Sequence, residues 1–194
     1  LGKQSYKPLE IIVVDDGSTD KSQEIAKRLK AILLKQSHRG PGVARNLGAQ
    51  SARGNILVFV DADMVFEKNF IKELTVPIAK KETIGTFSKN EYVTNYKNPW
   101  SVCWNINRNF PPEKMIPQSY PDTAPVFRAI LKSEFQKVSG FETTGDYTDD
   151  WSLSLKLNQK STLAKGAKYY HENPSTLKEI WKQARWIGKN KFIT

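Results

Sequence analysis

Two pairs of carboxylates are the residues of this chain best placed to do chemistry. Asp15 and Asp16 end one short β-branched run, and Asp61 and Asp63 follow a second. Carboxylates crowded in this way repel each other, so they need a cation or several hydrogen-bond donors nearby. Oxygen ligands of this kind suit Mg²⁺ or Mn²⁺, shared with a phosphate group. With only two histidines and one cysteine, the chain offers no His/Cys cluster for zinc.

Taken one at a time, these residues also have ordinary structural explanations. Asp, Gly and Ser are common turn residues, so 15–18 could be a turn that caps a helix. The segment 61–63 could be a solvated strand end, and Arg45 could form a surface salt bridge. The order of the residues after two buried strands is what favours a functional site.

The first half of the chain alternates strands and helices, which predicts a parallel α/β sheet. Ligands of such sheets bind beyond the carboxyl ends of the strands, where both acidic pairs fall. No Gly, Pro or Asn separates the strand 31–34 from the helix before it, which indicates either a cramped turn or missing residues between Lys30 and Ala31. The predicted strands are 9–14, 31–34 and 55–60, and the predicted helices are 21–30, 43–52 and 67–80.

The second half is less regular and rich in Asn, Pro and aromatic residues. Weak strand signals lie near 85–93 and 124–131. Helices are predicted over 132–138, 150–158 and 175–187. Nothing in this half marks a domain boundary.

Composition limits the classes of protein that the chain can belong to. Its 194 residues are 39% hydrophobic and 26% charged, as in a globular domain. The net charge of +10 suits an anionic partner, but the basic residues are dispersed, so we expect no nucleic-acid binding. The lone Cys103 excludes an internal disulfide and fits a cytoplasmic location. No apolar run reaches transmembrane length.

Four segments, in order, resemble the motifs of family 2 glycosyltransferases. Residues 10–20 (EIIVVDDGSTD) resemble the nucleotide-binding segment, and residues 40–49 (GPGVARNLGA) resemble the family's Ala-Arg-Asn helix. Residues 56–63 (ILVFVDAD) are similar to its Asp-x-Asp strand. Gly140-Phe141 and the later TDDWSL at 148–153 resemble its Gly-Phe and Glu-Asp-x-x-Leu segments, with Asp149 where the family usually has Glu.

The resemblance implies a GT-A fold, a Rossmann-like and mostly parallel sheet flanked by helices. The chain begins where the family's first βα unit would already have passed, so we expect that unit to be lacking. We expect a single domain over 1–194, with a nucleotide-binding half at 1–80 and an acceptor-binding half at 81–194. We also expect the chain to be a fragment of a longer protein.

The resemblance also implies roles for individual residues. Asp150 would be the catalytic base, with Asp149 as the alternative, although both could simply cap the following helix. The implied metal ligands of Mg²⁺ or Mn²⁺ are Asp63, Asp61 and His171. The implied nucleotide-binding residues are Asp15, Asp16, Ser18, Arg45 and Asp61.

The implied reaction is inverting transfer of a sugar from a nucleotide-diphosphate sugar, with UDP favoured. The acceptor would be a saccharide or a lipid-linked hydroxyl. The basic, aromatic segment 181–192 suits an acidic membrane surface, which would place the enzyme at its cytoplasmic face. Two alternatives are a sugar nucleotidyltransferase and a non-catalytic module that binds anions or nucleic acid.

Overall fold

The computed structural model describes residues 1–143 and 149–189, apart from the side chains of Trp186 and Lys189. The helices are α1 (Ser22–Arg28), α2 (Pro41–Ser51), α3 (Phe70–Ala79), α4 (Pro99–Asn107), α5 (Lys132–Lys137), α6 (Asp149–Leu157) and α7 (Leu177–Lys189). The strands are β1 (Ile12–Asp15), β2 (Ile32–Lys35), β3 (Ile56–Val58), β4 (Val65–Phe66), β5 (Gly85–Phe87), β6 (Asn90–Val93), β7 (Thr123–Ala124), β8 (Ala129–Leu131), β9 (Ser161–Leu163) and β10 (Lys168–His171).

The described strands form three separate sheets. β1 and β2 pair in parallel, a second sheet has the order β3-β8-β5-β9-β7, and a third has the order β4-β10-β6. Pairing is parallel for β1–β2, β5–β9 and β6–β10, and antiparallel elsewhere. The α/β prediction is confirmed, with mixed sheets. The sequence did not predict β4, β9 or β10, since two to four residues are too few to show periodicity.

Helix α2 links the first two sheets. Near its start, Arg45 contacts Asp61 beyond the end of β3. Its Gly48 packs on Ile12 and Val14 of β1, because the missing side chain allows the helix to approach the strand closely. Among the described residues β1 and β3 are not hydrogen-bonded to each other, so the helix rather than a shared ladder holds their ends together.

The connection between α1 and β2 is a tight turn. Lys30 adopts a left-handed conformation with φ of 56°, and the Ala31 amide donates to the Ala26 carbonyl at 3.2 Å. A lysine therefore takes the position at the end of a helix that glycine usually fills. Of the two alternatives that the sequence left open, this geometry corresponds to the cramped turn.

Two buried clusters hold the layers together. In one, α3 buries Phe70, Leu74 and Ile78 against Tyr169 of β10. Burial of each such side chain stabilises the fold by roughly 1.5–3 kcal/mol. The other cluster, between α2, α5 and α6, contains Ala49, Leu57, Phe127, Ile130, Phe135, Phe141 and Leu153.

Candidate active site

Arg45, in the first turns of α2, joins two acids from opposite halves of the chain. Its Nη1 donates to Asp150 Oδ1 at 2.5 Å, and its Nη2 donates to Asp61 Oδ1 at 3.2 Å. The guanidinium also lies 5.5 Å from the centre of the Phe141 ring. Because the arginine side chain is only 19% exposed, these contacts fix its position.

A second guanidinium neutralises Asp61 from the other side. Arg128, just before β8, donates through Nη1 to Asp61 Oδ2 at 3.3 Å. Burial by itself raises the pKa of the Asp61 carboxyl, but the charges of Arg128 and Arg45 outweigh it and hold that pKa below its ordinary value. Asp61 is therefore ionised at neutral pH and shared between two arginines.

Replacing Arg128 by Gln is expected to raise the pKa of Asp61. A carboxyl whose pKa is depressed by folding contributes stability above its unfolded pKa of about 3.9, and this contribution is lost as the pH falls through the depressed value. Carboxyl-carbon NMR of the folded protein should show Asp61 titrating below that value, and above the wild-type midpoint in Arg128→Gln. An unchanged midpoint would contradict the pairing.

The first turn of α6 docks on the first turn of α2. Asp149 is buried and accepts from the Gly42 amide through Oδ2 at 3.1 Å. The Asn46 side chain pairs with both backbone groups of Phe141, each at 2.9 Å. Asp150 is thus positioned by two sets of hydrogen bonds, one from α2 to Asp149 and one from α2 to Phe141.

Gly42 is required at this contact. A Cβ at Gly42 would lie 2.4 Å from the Glu142 carbonyl and 2.7 Å from Asp149 Oδ2, so Gly42→Ala is expected to lower the free energy of unfolding by roughly 1–3 kcal/mol. Gly48→Ala is the matched control, because its Cβ would meet only side-chain carbons, the nearest 3.2 Å away. Urea unfolding of both variants tests this, and equal losses would contradict it.

The two acids at the end of β1 accept hydrogen bonds from nearby segments of the first half of the chain. Asp16 accepts from Gln36 Nε2 at 2.6 Å and from the amides of Arg39 and Gly40 at 2.8 and 3.0 Å. Burial by itself raises the pKa of Asp16, but the hydrogen bonds from these donors together outweigh burial, so the pKa lies below its ordinary value. Asp16 thereby orders the loop that leads into α2.

Asp15 and Ser18 lie on the α1 side of the same strand end. Asp15 is buried and accepts from Gln23 Nε2 of α1 at 2.8 Å. A hydrogen bond from Ser18, which outweighs burial, lowers the pKa of the Asp15 carboxyl. Ser18 itself is exposed. The turn explanation of this segment and a nucleotide-binding role are compatible, since the turn lies beside the α2 loop.

The three predicted metal ligands do not form a preassembled cluster. In the described part of the chain, no three His, Cys, Asp or Glu side chains are grouped to hold a metal ion. Asp61 is taken by two arginines, and His171 Nδ1 lies 3.1 Å from Glu91 Oε1. Asp63 is exposed at the strand end. One open carboxylate fits a cation such as Mg²⁺, which keeps water ligands and shares phosphate oxygens.

Sequence reasoning missed Arg128 and Glu91. Glu91 is buried on β6 and also accepts from Tyr169 Oη at 2.9 Å, while Arg128 lies 5.7 Å from the Tyr169 ring centre. A row of polar contacts therefore runs from His171 towards Asp61. The available signal for Glu91 was an acid within the weak strand pattern at 85–93, where a buried charge needs a partner.

The structure thus brings Arg45, Asp61 and Asp150 into contact, with Asp16 at the loop entering the same helix. Asp149 is buried beside this group and accepts a hydrogen bond from the Gly42 amide of α2. His171 is not in contact with this group but is connected to Asp61 through Glu91, Tyr169 and Arg128. Asp63 is separated from Asp61 by one residue in the sequence. Thr148, part of the predicted base motif, lies outside the described residues.

Comparison with known proteins shows the family to which the chain belongs. Residues 1–139 match the family model described as glycosyl transferase family 2. The chain is 40% identical over 76 residues to glycosyltransferase GlyA of Streptococcus pneumoniae serotype 4 (strain TIGR4), covering 37% of this chain and 11% of GlyA. It is 48% identical over 65 residues to the uncharacterized glycosyltransferase YibD of Escherichia coli K12, covering 31% of this chain and 19% of YibD.

Solved structures share the fold. The crystal structure of S. aureus TarS 1–349 in complex with UDP-GlcNAc superposes with a TM-score of 0.66 and 19% identity, covering 92% of this chain and 54% of that chain. The complex of the same protein with UDP gives a TM-score of 0.67 and 18% identity, covering 97% of this chain and 58% of that chain.

These findings define a GT-A α/β protein, and the chain belongs to glycosyl transferase family 2. It spans less than a third of the length of either curated relative named above. Within the described residues, no helix is both long and apolar enough to pass through a bilayer.

Proposed function

We propose that the chain is the catalytic domain of an inverting glycosyltransferase that uses a nucleotide-diphosphate sugar, with UDP favoured. The observation that carries the proposal is the Arg45 bridge between Asp61, at the end of a strand, and Asp150, at the start of α6. A strand-end acid and a candidate base from distant parts of the sequence share one guanidinium. The likeness to a protein crystallised with UDP-GlcNAc supports the choice of UDP.

In the proposed reaction Asp150 is the general base. It takes the proton from the acceptor hydroxyl as that oxygen attacks the anomeric carbon, and the bond from that carbon to the diphosphate breaks on the opposite face. The electron pair leaves with the nucleoside diphosphate. Asp150 suits this role better than Asp149, because its side chain is 49% exposed whereas Asp149 is buried against α2.

Arg45 acts on this base as a positioning residue. Arg45 donates to Oδ1 of Asp150 and thereby fixes the orientation of the carboxylate. No partner of Oδ2 is found among the described residues, so this second oxygen is the one that would accept the proton. Asp61 and Phe141 in turn hold Arg45. A base that is already held in the correct orientation lowers the entropic part of the activation barrier.

The nucleotide would lie across the ends of β1 and β3. Asp15, Asp16 and Ser18 would line the side of the base and ribose, and Asp61 would face the ribose. A divalent cation would be held by Asp63 and would stabilise the charge that develops on the leaving diphosphate. His171 would complete that side through its Nε2, since its Nδ1 contacts Glu91.

The acceptor would enter over α6. Trp151, directly after Asp150, is 44% exposed and offers a flat face on which a pyranose could pack. This arrangement suits a saccharide or a lipid-linked hydroxyl. The cytoplasmic location inferred from the sequence stays a prediction.

A donor screen tests the proposal. The protein is incubated with UDP-, GDP- and dTDP-sugars with and without Mn²⁺, and its melting temperature is measured. We expect a UDP-sugar to raise the melting temperature most, and slow turnover to release nucleoside diphosphate. Release of pyrophosphate from a nucleoside triphosphate would indicate a nucleotidyltransferase instead. No response to any nucleotide would overturn the proposal.

A further inference from the structure

Helices α4 and α7 expose a set of large apolar side chains on neighbouring surfaces. α7 contacts α4, and the Asn95 and Asn98 side chains hold Ser175 just before α7 begins. The set, called the α4–α7 patch below, consists of Trp100 (40% exposed), Cys103, Ile106 (60%), Leu177 (59%) and Trp181 (62%). Scattered single apolar residues are normal on a protein surface, but five on two adjoining helices are not.

The apolar residues of α7 divide into two strips. Ile180 and Ile187 are half-buried, so they lie on the side of the helix that the protein covers. Leu177, Trp181 and Ala184 are exposed and lie beside that strip, at the spacing of one helical face. Packing on the described part of the protein therefore uses only part of the apolar surface of this helix.

A row of positive charges borders the exposed strip. Lys178, Lys182 and Arg185 recur at helical spacing and are all exposed. The only acid in the sequence of α7 is Glu179, and it is engaged at the start of the helix, where its carboxylate accepts from the Ser175 amide at 2.7 Å. The Arg185 guanidinium also lies 5.3 Å from the Trp181 ring centre, so the charged and aromatic strips adjoin.

We propose that the α4–α7 patch docks the protein on an anionic lipid surface. Trp and Leu at the level of the headgroups, flanked by Lys and Arg, are the features by which an amphipathic helix lies in a membrane interface. The anionic lipids complement the row of three charges, and the net charge of +10 adds long-range attraction. The inference does not depend on the enzymatic proposal, because lipid binding is measured without donor or acceptor.

Vesicle flotation tests the inference. The protein is mixed with phosphatidylcholine vesicles or with vesicles that contain about a third phosphatidylglycerol, at about 0.1 M and about 1 M salt. We expect flotation with the anionic vesicles at low salt only. Lys178→Gln/Lys182→Gln/Arg185→Gln should weaken the apparent affinity at least about 20-fold, and Leu177→Ser/Trp181→Ser should weaken it about 10-fold or more.

The control removes the same number of charges from another exposed helix region: Lys21→Gln/Lys27→Gln/Arg28→Gln around α1 should weaken binding no more than about threefold. Circular dichroism checks that each variant is folded. Absence of flotation with anionic vesicles, or an equal loss in the α1 control, would overturn the inference. A dimer in solution that Trp181→Ser dissociates, without vesicle binding, would also overturn it and assign the patch to a second copy.

Discussion

Replacing Asp150 by Asn is expected to reduce the rate of sugar transfer by roughly 10²- to 10⁴-fold, the usual contribution of a general base. Donor binding should stay within about twofold of wild type, because Asn can still accept from Arg45 and keep the local geometry. The loss should therefore fall on kcat and not on the donor KM. Steady-state kinetics and calorimetric titration of the donor separate the two.

Two controls make this result specific. Glu24→Gln removes an exposed carboxylate on α1 and should leave transfer unchanged. Asp149→Asn alters the buried acceptor of the Gly42 amide, so it should lower the free energy of unfolding as well as activity. If Asp150→Asn transfers sugar normally while a folded Asp149→Asn does not, the base is Asp149 and the assignment here is wrong.

Replacing Asp63 by Ala is expected to abolish the part of nucleotide affinity that depends on a divalent cation. Loss of an outer-sphere partner already weakens metal binding about 10- to 100-fold. Among the described residues Asp63 is the only open carboxylate at this strand end, so its loss should cost at least about 100-fold. Calorimetric titration of UDP with and without Mn²⁺ measures the difference. In the variant the two titrations should coincide.

The matched variant for this experiment is Glu24→Ala, which removes an exposed acid away from the strand ends. It should retain the full stimulation by Mn²⁺. Persistence of that stimulation in Asp63→Ala would show that the cation is held elsewhere. Asp61 is then the next ligand to test, although releasing it would leave Arg45 and Arg128 without their shared partner.

The first half of the fold could be predicted because its signals are local. β-branched runs followed by paired acids mark β1 and β3, and the small residues of α2 mark a helix that lies close to a strand. The predicted helix bounds differ from those found by one to three residues. The exception is the turn at Lys30, where a non-glycine residue takes the left-handed conformation and gives no sequence signal.

The second half could be predicted only in part, because its contacts are long-range. Glu91 meets His171 across 80 residues, and Arg128 meets Asp61 across 67. Pairings of this kind depend on how β6, β8 and β10 are arranged, which residue spacing does not encode. Motif order indicated that the 140–153 segment belongs to the site. It did not indicate that Gly42 and Asn46 of α2 form hydrogen bonds with Asp149 and Phe141 of this segment.

The structure gives Arg45 two contacts that the sequence did not predict. The nucleotide contact that the family resemblance implies for Arg45 stays a prediction, and the structure adds that the guanidinium is shared by Asp61 and Asp150. Position along a helix shows that a cation is near a strand end, but not which anion it pairs with. Through this pairing, α2 connects the end of β3 with the start of α6.

The most direct test of the central proposal is an amide NMR titration of the protein with a UDP-sugar and Mg²⁺, repeated with Mn²⁺. We expect shifts confined to the β1 turn, the loop and first turn of α2, the Asp61–Asp63 segment and the start of α6. We also expect Mn²⁺ to broaden the signals around Asp63 most strongly. Shifts located elsewhere, or a spectrum that does not respond, would contradict the proposed site.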